Sequence, residues 1–277
     1  MKIGLIQLDG KIPNLALMKL SKFYKAKGDS VFLIDLSFLD FDLYFGSKIF
    51  MGGSGYNIKE KLPNDIDILV PDYELYNKDY SIGYTSRGCV KDCNFCIVRE
   101  KEGNLKEIDF KKDIKHIKYL ILDNNFLANK NHIEKLKYFI DNNIKVSFTQ
   151  GLDFDYVTDA NALLLSIINS YDHNFKYKRL YFAFDSIKKE DIVREKLEIL
   201  LKYIKPYKIM VYILVGFDSE FKDDMKRFEI LRSYGVDPFI MIYNNRKDIP
   251  IIRKFARWVN KRVYKANNDF DQYKFLK

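Results

Sequence analysis

The chain has 277 residues, 47% of them hydrophobic and 16% aromatic, and a formal net charge of +9. That much apolar side chain builds a sizeable core and excludes a disordered polymer, and the length makes one large domain or a small domain followed by a larger one. No apolar run of eighteen residues is free of charge, so no membrane contact is expected; the run Met1–Gln7 lacks the length and cleavage pattern of a signal peptide, and a cytoplasmic protein is the expectation.

Lys2–Gln7 reads as a β-strand, and Asn14–Lys27 as a helix with Leu15, Met18, Leu20 and Tyr24 among its apolar positions. Val31–Asp35 reads as a second strand. Leu43–Phe45 and Ile49–Met51 are weaker candidates, followed by Gly52-Gly53-Ser54-Gly55. This βαβ-type layout closes near Pro71-Asp72 and predicts a small domain over residues 1–75, with a second domain over 76–277.

The second series of strands is Ser81–Ser86, Tyr119–Leu122, Lys145–Thr149, Arg179–Phe184, Ile209–Val215 and Phe239–Tyr243. Helical patterns follow most of them, over His132–Asn142, Ala160–Ser170, Glu190–Ile204, Glu220–Tyr234 and Ile251–Tyr264. Six strands with helical or looped crossovers predict an α/β fold with a parallel sheet, and an apolar run such as Ile209–Val215 fits burial on both faces. Polar residues collect at the C-terminal ends of these strands: Asp123-Asn124-Asn125, Gln150, Asp185-Ser186 and Asp218-Ser219. Ligands bind at that end of parallel α/β folds, although the same residue types also cap helices.

The chain has three cysteines, in Gly88-Cys89-Val-Lys-Asp-Cys93-Asn-Phe-Cys96, a C-x3-C-x2-C spacing. An odd number within eight residues is a poor disulfide framework and a good metal-binding loop in a reducing compartment. Three thiolates supply three corners of a [4Fe-4S] cube and leave the fourth iron open to a cofactor or substrate. The alternative is zinc, which wants a fourth ligand. Only His116, His132 and His173 are on offer, and His116 alone lies within twenty residues of Cys96.

Cys89, Cys93 and Cys96, with the aromatic Phe95 before the last of them, resemble the signature of the radical S-adenosylmethionine (SAM) superfamily. Ile82–Cys89 is similar to the first strand of that family's partial (β/α)6 TIM-like barrel, and the resemblance in strand order runs over Ser81–Asn244. It implies a [4Fe-4S] cluster whose open iron chelates SAM, reductive cleavage of SAM, and hydrogen abstraction from a substrate. Asp123 or Asn124 would receive the SAM amino group where the family has Gly-Gly-Glu. Asp185 would hold the ribose, the Gly216-Phe217-Asp218 turn would approach adenine, and Gln150 would face the same mouth.

Residues 1–75 resemble a shortened Rossmann-like domain of the cobalamin-binding type. Lys11 stands where that domain carries a cobalt-binding His, so cobalamin is not expected.

From Phe221 to Lys277 there are fourteen Lys and Arg against seven Asp and Glu, so this tail carries +7. It could face RNA or another acidic substrate, or the flavodoxin or ferredoxin that the resemblance implies as electron donor. A peptide or small-metabolite substrate, and a non-catalytic metal-binding protein, are the competing expectations.

Overall fold

The structure is a computed structural model that describes residues 1–35, 40–48, 66–245 and 248–274. It is a mixed α/β protein with parallel sheets. Two compact units divide the chain: Met1–Gly83 with Asp109–Tyr119, and Tyr84–Ile108 with Leu120–Lys277. The expected strand Ile49–Met51 and the glycine run Gly52–Gly55 lie outside the described residues. Among the described residues no helix is long and apolar enough to cross a membrane.

In the first unit, β1 (Lys2–Gln7) lies between β2 (Ser30–Leu33) and β3 (Leu43–Ser47), parallel to both. Helix α1 (Leu15–Ala26) begins where the Asn14 side chain accepts from the Ala16 and Leu17 amides at 3.1 and 3.3 Å, the usual cap for the orphan donors of a first turn. It buries Leu17, Leu20 and Tyr24 against Ile3, Leu5 and Phe45, and that cluster is the core of the unit. The loop after β1, which contains Lys11, is organised by Gln7. Its amide donates to the carbonyls of Asp9 and Ile12 at 2.9 Å each, and its Oε1 accepts from the Tyr76 hydroxyl at 2.6 Å. The short strand β4 (Ser81–Gly83) also belongs here, with Ser81 Oγ accepting from the amides of Lys115 and His116.

The expected single strand Ser81–Ser86 is broken after Gly83, and Ser86–Arg87 forms a separate strand, β5. The reason is Thr85, whose amide donates to the Asp123 carboxylate instead of to a neighbouring strand. In the second unit, β5 pairs antiparallel with β6 (Lys106–Glu107), and the helix α2 (Val98–Glu102) stands between them in the chain. Strand β7 (Lys118–Ile121) starts in the last residues assigned to the first unit and ends in the second; α3 (His132–Asp141) and β8 (Lys145–Phe148) follow, with the Thr149 amide donating to the Ile121 carbonyl at 3.1 Å.

The larger sheet has the order β12-β11-β10-β9, parallel throughout. Its strands are β9 (Leu152–Asp153), β10 (Leu180–Ala183), β11 (Ile209–Val215) and β12 (Asp237–Ile242). The crossovers are α4 (Asp159–Ile167), α5 (Glu190–Leu201) and α6 (Phe221–Ser233). Strands β7 and β8 belong to a different sheet from β9–β12, so the described strands form no continuous six-stranded sheet. Along β11 only alternate residues are fully buried: Ile209, Val211, Ile213 and Val215. The other face carries Tyr212, stacked on Tyr181 at 5.4 Å, so the expected burial on both faces holds for one face only.

The last helix, α7 (Pro250–Asn260), packs on β12, and the Asn260 amide group brackets the backbone of Ile240 at 2.7 and 2.9 Å. It ends four residues earlier than the sequence predicts, because Arg262 turns into the left-handed region at φ 57°. The tail then folds back over the helix. Trp258, expected among the basic surface residues, is buried against Phe228 and Phe270, and its indole donates to the Asn267 carbonyl at 2.9 Å. Ile252, Phe255 and Val259 are buried beside it, while Arg253, Arg257 and Lys261 are exposed.

Candidate functional site

The cysteine loop is the excursion between β5 and β6. The hairpin continues past the strands through the Cys89 amide, which donates to the Gly103 carbonyl at 3.2 Å. Gly88 has φ 82°, and a Cβ on it would stand 2.4 Å from the Asn104 carbonyl oxygen, so no other residue fits this turn. From inside the loop, the Arg99 guanidinium donates to the Cys89 carbonyl at 2.8 Å. Glu102, nearly buried, accepts from the Gly88 amide at 3.1 Å and the Asn124 side chain at 2.8 Å, and Arg87 lies 3.7 Å away.

The three cysteines are free thiols; Cys89 and Cys93 are half-buried and Cys96 is exposed. A tight turn joins the last two, with the Cys96 amide donating to the Cys93 carbonyl at 2.8 Å. The Lys91 amide lies 3.4 Å from Cys89 Sγ. Burial pushes the Cys93 thiol up; the Lys91 charge opposes that shift, and Cys96, Cys89 and Asp185 reinforce it.

Among the described residues, no group of three or more His, Cys, Asp or Glu is gathered as one metal ion requires. Three thiolates on one zinc, each at about 2.3 Å, must crowd around a single point. An iron–sulfur cube takes one thiolate per iron and needs no such crowding. Three partly accessible thiols on one fixed loop are a donor set of the kind an iron–sulfur cube takes. The His116 ring lies beside Ser81, the His132 ring between Asn129 and Asn161, and the His173 ring beside Asn174.

The structure distributes the other expected site residues unevenly. Phe95 meets the turn after β11, with its ring 5.8 Å from Phe217, which packs in turn on Tyr243 at 4.8 Å. Gly216 opens that turn at φ 81°, and Asp218 beyond it is exposed, as is Gln150. Asp123 is 3% exposed and turned onto the chain itself. Its carboxylate accepts from the Thr85 amide and hydroxyl at 2.6 Å each and from the Ser86 hydroxyl at 2.7 Å. Burial nevertheless raises its pKa, with those donors opposing.

Asp185, at the end of β10, has its carboxyl pushed up to about 6 by burial, with Arg227 opposing. Arg227 is fully buried on α6. It donates to the carbonyls of Phe184 and Leu214 at 2.8 and 2.9 Å and so joins the ends of β10 and β11.

Sequence reasoning missed Arg227, Glu102, and a charge network beside the loop. In that network Lys91 is paired with both Asp153 and Asp155, and Lys189 reaches Asp155 at 2.6 Å. Burial works against the Lys91 ammonium, but its aspartate partners raise its pKa overall. The visible signal was limited to Lys91 lying inside the cysteine motif.

No protein-family model matches the chain, and no curated protein matches it. Three solved chains match. One is the crystal structure of Streptococcus suis SuiB bound to S-adenosylmethionine, 13% identical with a TM-score of 0.45. The match covers 78% of this chain and 53% of that one, so the chain spans about half its length.

Proposed function

We propose that this chain is a radical SAM enzyme, with Cys89, Cys93 and Cys96 holding a [4Fe-4S] cluster on a partial (β/α)6-type barrel. The observation that carries the reading is the C-x3-C-x2-C loop, its thiols free and its turn fixed by Gly88. When bound, the cluster supplies the electron that cleaves SAM, and the radical so released takes a hydrogen atom from the substrate.

The chain's own residues bind and orient. Asp123 fixes Thr85 and Ser86, the residues that lead into the loop, and Glu102 fixes Gly88. Because Asp123 already accepts three hydrogen bonds, Asn124 is the proposed acceptor for the SAM amino group. Phe95 and Phe217 form an apolar wall against water, and Gly216 lets backbone approach the adenine. Asp185 is the proposed ribose partner, with Arg227 holding the strand end that carries it. Gln150 and Asp218 are proposed contacts at the exposed rim.

The exposed cations Arg253 and Arg257 of α7, and Lys261 at its C-terminal cap, recur every four residues and favour an acidic partner. An RNA substrate and a flavodoxin- or ferredoxin-type donor both have that chemistry. The reading is tested by incubating the reconstituted protein with SAM and dithionite. Equal amounts of methionine and 5′-deoxyadenosine are expected, and SAM left intact by a cluster-loaded chain overturns it.

A further inference from the structure

Two lysines and two aspartates lie beside the cysteine loop, and the proposed function leaves them without a task. Lys91 is two residues from both Cys89 and Cys93, and its ammonium is paired with Asp153 and with Asp155, the latter at 2.6 Å. Lys189 meets the same Asp155 oxygen at 2.6 Å, and Asn125 donates to Asp153 at 3.0 Å. The side chains of Lys91, Asp153 and Asp155 are 24%, 16% and 28% exposed. Solvent therefore screens them less than a surface pair. The four formal charges cancel. Lys91 belongs to the loop itself, between Cys89 and Cys93, and its backbone amide stands 3.4 Å from Cys89 Sγ.

We infer that Lys91 is a positioning residue that sets the electrostatic potential at the cysteine loop, and with it the ease of reducing a cluster held there. The inference rests on the proposed function. In the step concerned, the cluster gains one electron from a low-potential reductant, its charge becomes more negative by one, and no bond or proton moves. A cation nearby favours the reduced state and the two carboxylates disfavour it. Lys91 and Lys189 hold the balance at zero; without Lys91 the network carries one uncompensated negative charge.

The test is a redox titration of the reconstituted full-length chain, with iron and sulfide counted on each variant. Lys91→Met is expected to keep its four irons. At any fixed potential its ratio of reduced to oxidised cluster falls about tenfold, equivalent to about 59 mV for a one-electron couple. Lys91→Met combined with Asp153→Asn restores the charge balance and returns the ratio to within about threefold of wild type, as does Lys91→Arg alone. A purely structural lysine would not give that recovery. The inference is overturned by a wild-type midpoint in Lys91→Met, by a shift that the charge-balanced pair leaves in place, or by loss of iron from Lys91→Met. A wild-type chain that holds no cluster overturns the proposed function and this inference together.

Discussion

Arg227 and Asp224 pair at 2.5 Å with 0% and 1% of their side chains exposed. Breaking such a pair leaves an uncompensated buried charge, which costs about 3–5 kcal/mol, whereas removing both charges costs far less. Arg227→Met is therefore expected to lower stability by about that amount in urea unfolding of the iron-free protein. Arg227→Met with Asp224→Leu should recover more than half of it. A double variant as unstable as the single one would show that the carbonyls of Phe184 and Leu214, and not the ion pair, dominate the role of Arg227.

Burial of the Asp185 carboxyl costs stability at neutral pH. Its folded pKa, about 6, lies above the ordinary 3.8 because of burial, so the folded chain binds this proton more tightly than the unfolded one. The stabilisation is complete below the ordinary value and is lost as the pH rises through 6. Asp185→Asn should then be about 1–3 kcal/mol more stable than wild type near pH 7, with the gap closing as the pH falls from about 6 to about 4. Thermal melts across that range check it. Asp185→Ala should weaken SAM binding about ten- to a hundredfold, as loss of a charge-assisted hydrogen bond does, and leave the cluster in place. Unchanged affinity would remove Asp185 from the site.

Gly88→Ala is expected to abolish cluster assembly while the chain still folds. The added Cβ meets backbone, the Asn104 carbonyl oxygen, and the residue must hold φ 82°. Strain of this kind costs about 1–3 kcal/mol and is relieved most easily by moving the loop. An iron content equal to wild type would show that the loop tolerates the shift.

Part of this arrangement is legible in the sequence. β1 and β11 match their predicted bounds residue for residue, since each is an apolar run flanked by turn or polar residues. The three cysteines and their C-x3-C-x2-C spacing are read directly from the chain. Glu102, Arg227 and the partners of Lys91 are not, because each acts through loops that meet only in three dimensions. Trp258 was misplaced for the same reason: it was expected among the basic surface residues, and the returning tail, with Tyr264 and Phe270, covers it. Asp123 was placed correctly at the end of its strand, but its bonds to Thr85 and Ser86 depend on the break in the strand that precedes the cysteines.

Charge reversal on the exposed side of α7 tests the proposed partner. Arg257→Glu with Lys261→Glu reverses two exposed charges, away from Ile252, Phe255 and Val259. SAM cleavage driven by a flavodoxin should slow several-fold, while cleavage driven by dithionite holds at the wild-type rate. If both rates hold, the helix presents a solvated face. Loss of the dithionite-driven rate would mark a structural role.

The central claim, that Cys89, Cys93 and Cys96 hold an iron–sulfur cube, is tested most directly by metal and sulfide analysis after anaerobic reconstitution. About four iron and four sulfide per chain are expected, with the visible absorption of an iron–sulfur centre, lost in the Cys→Ala variants. One zinc per chain with no such absorption would contradict it.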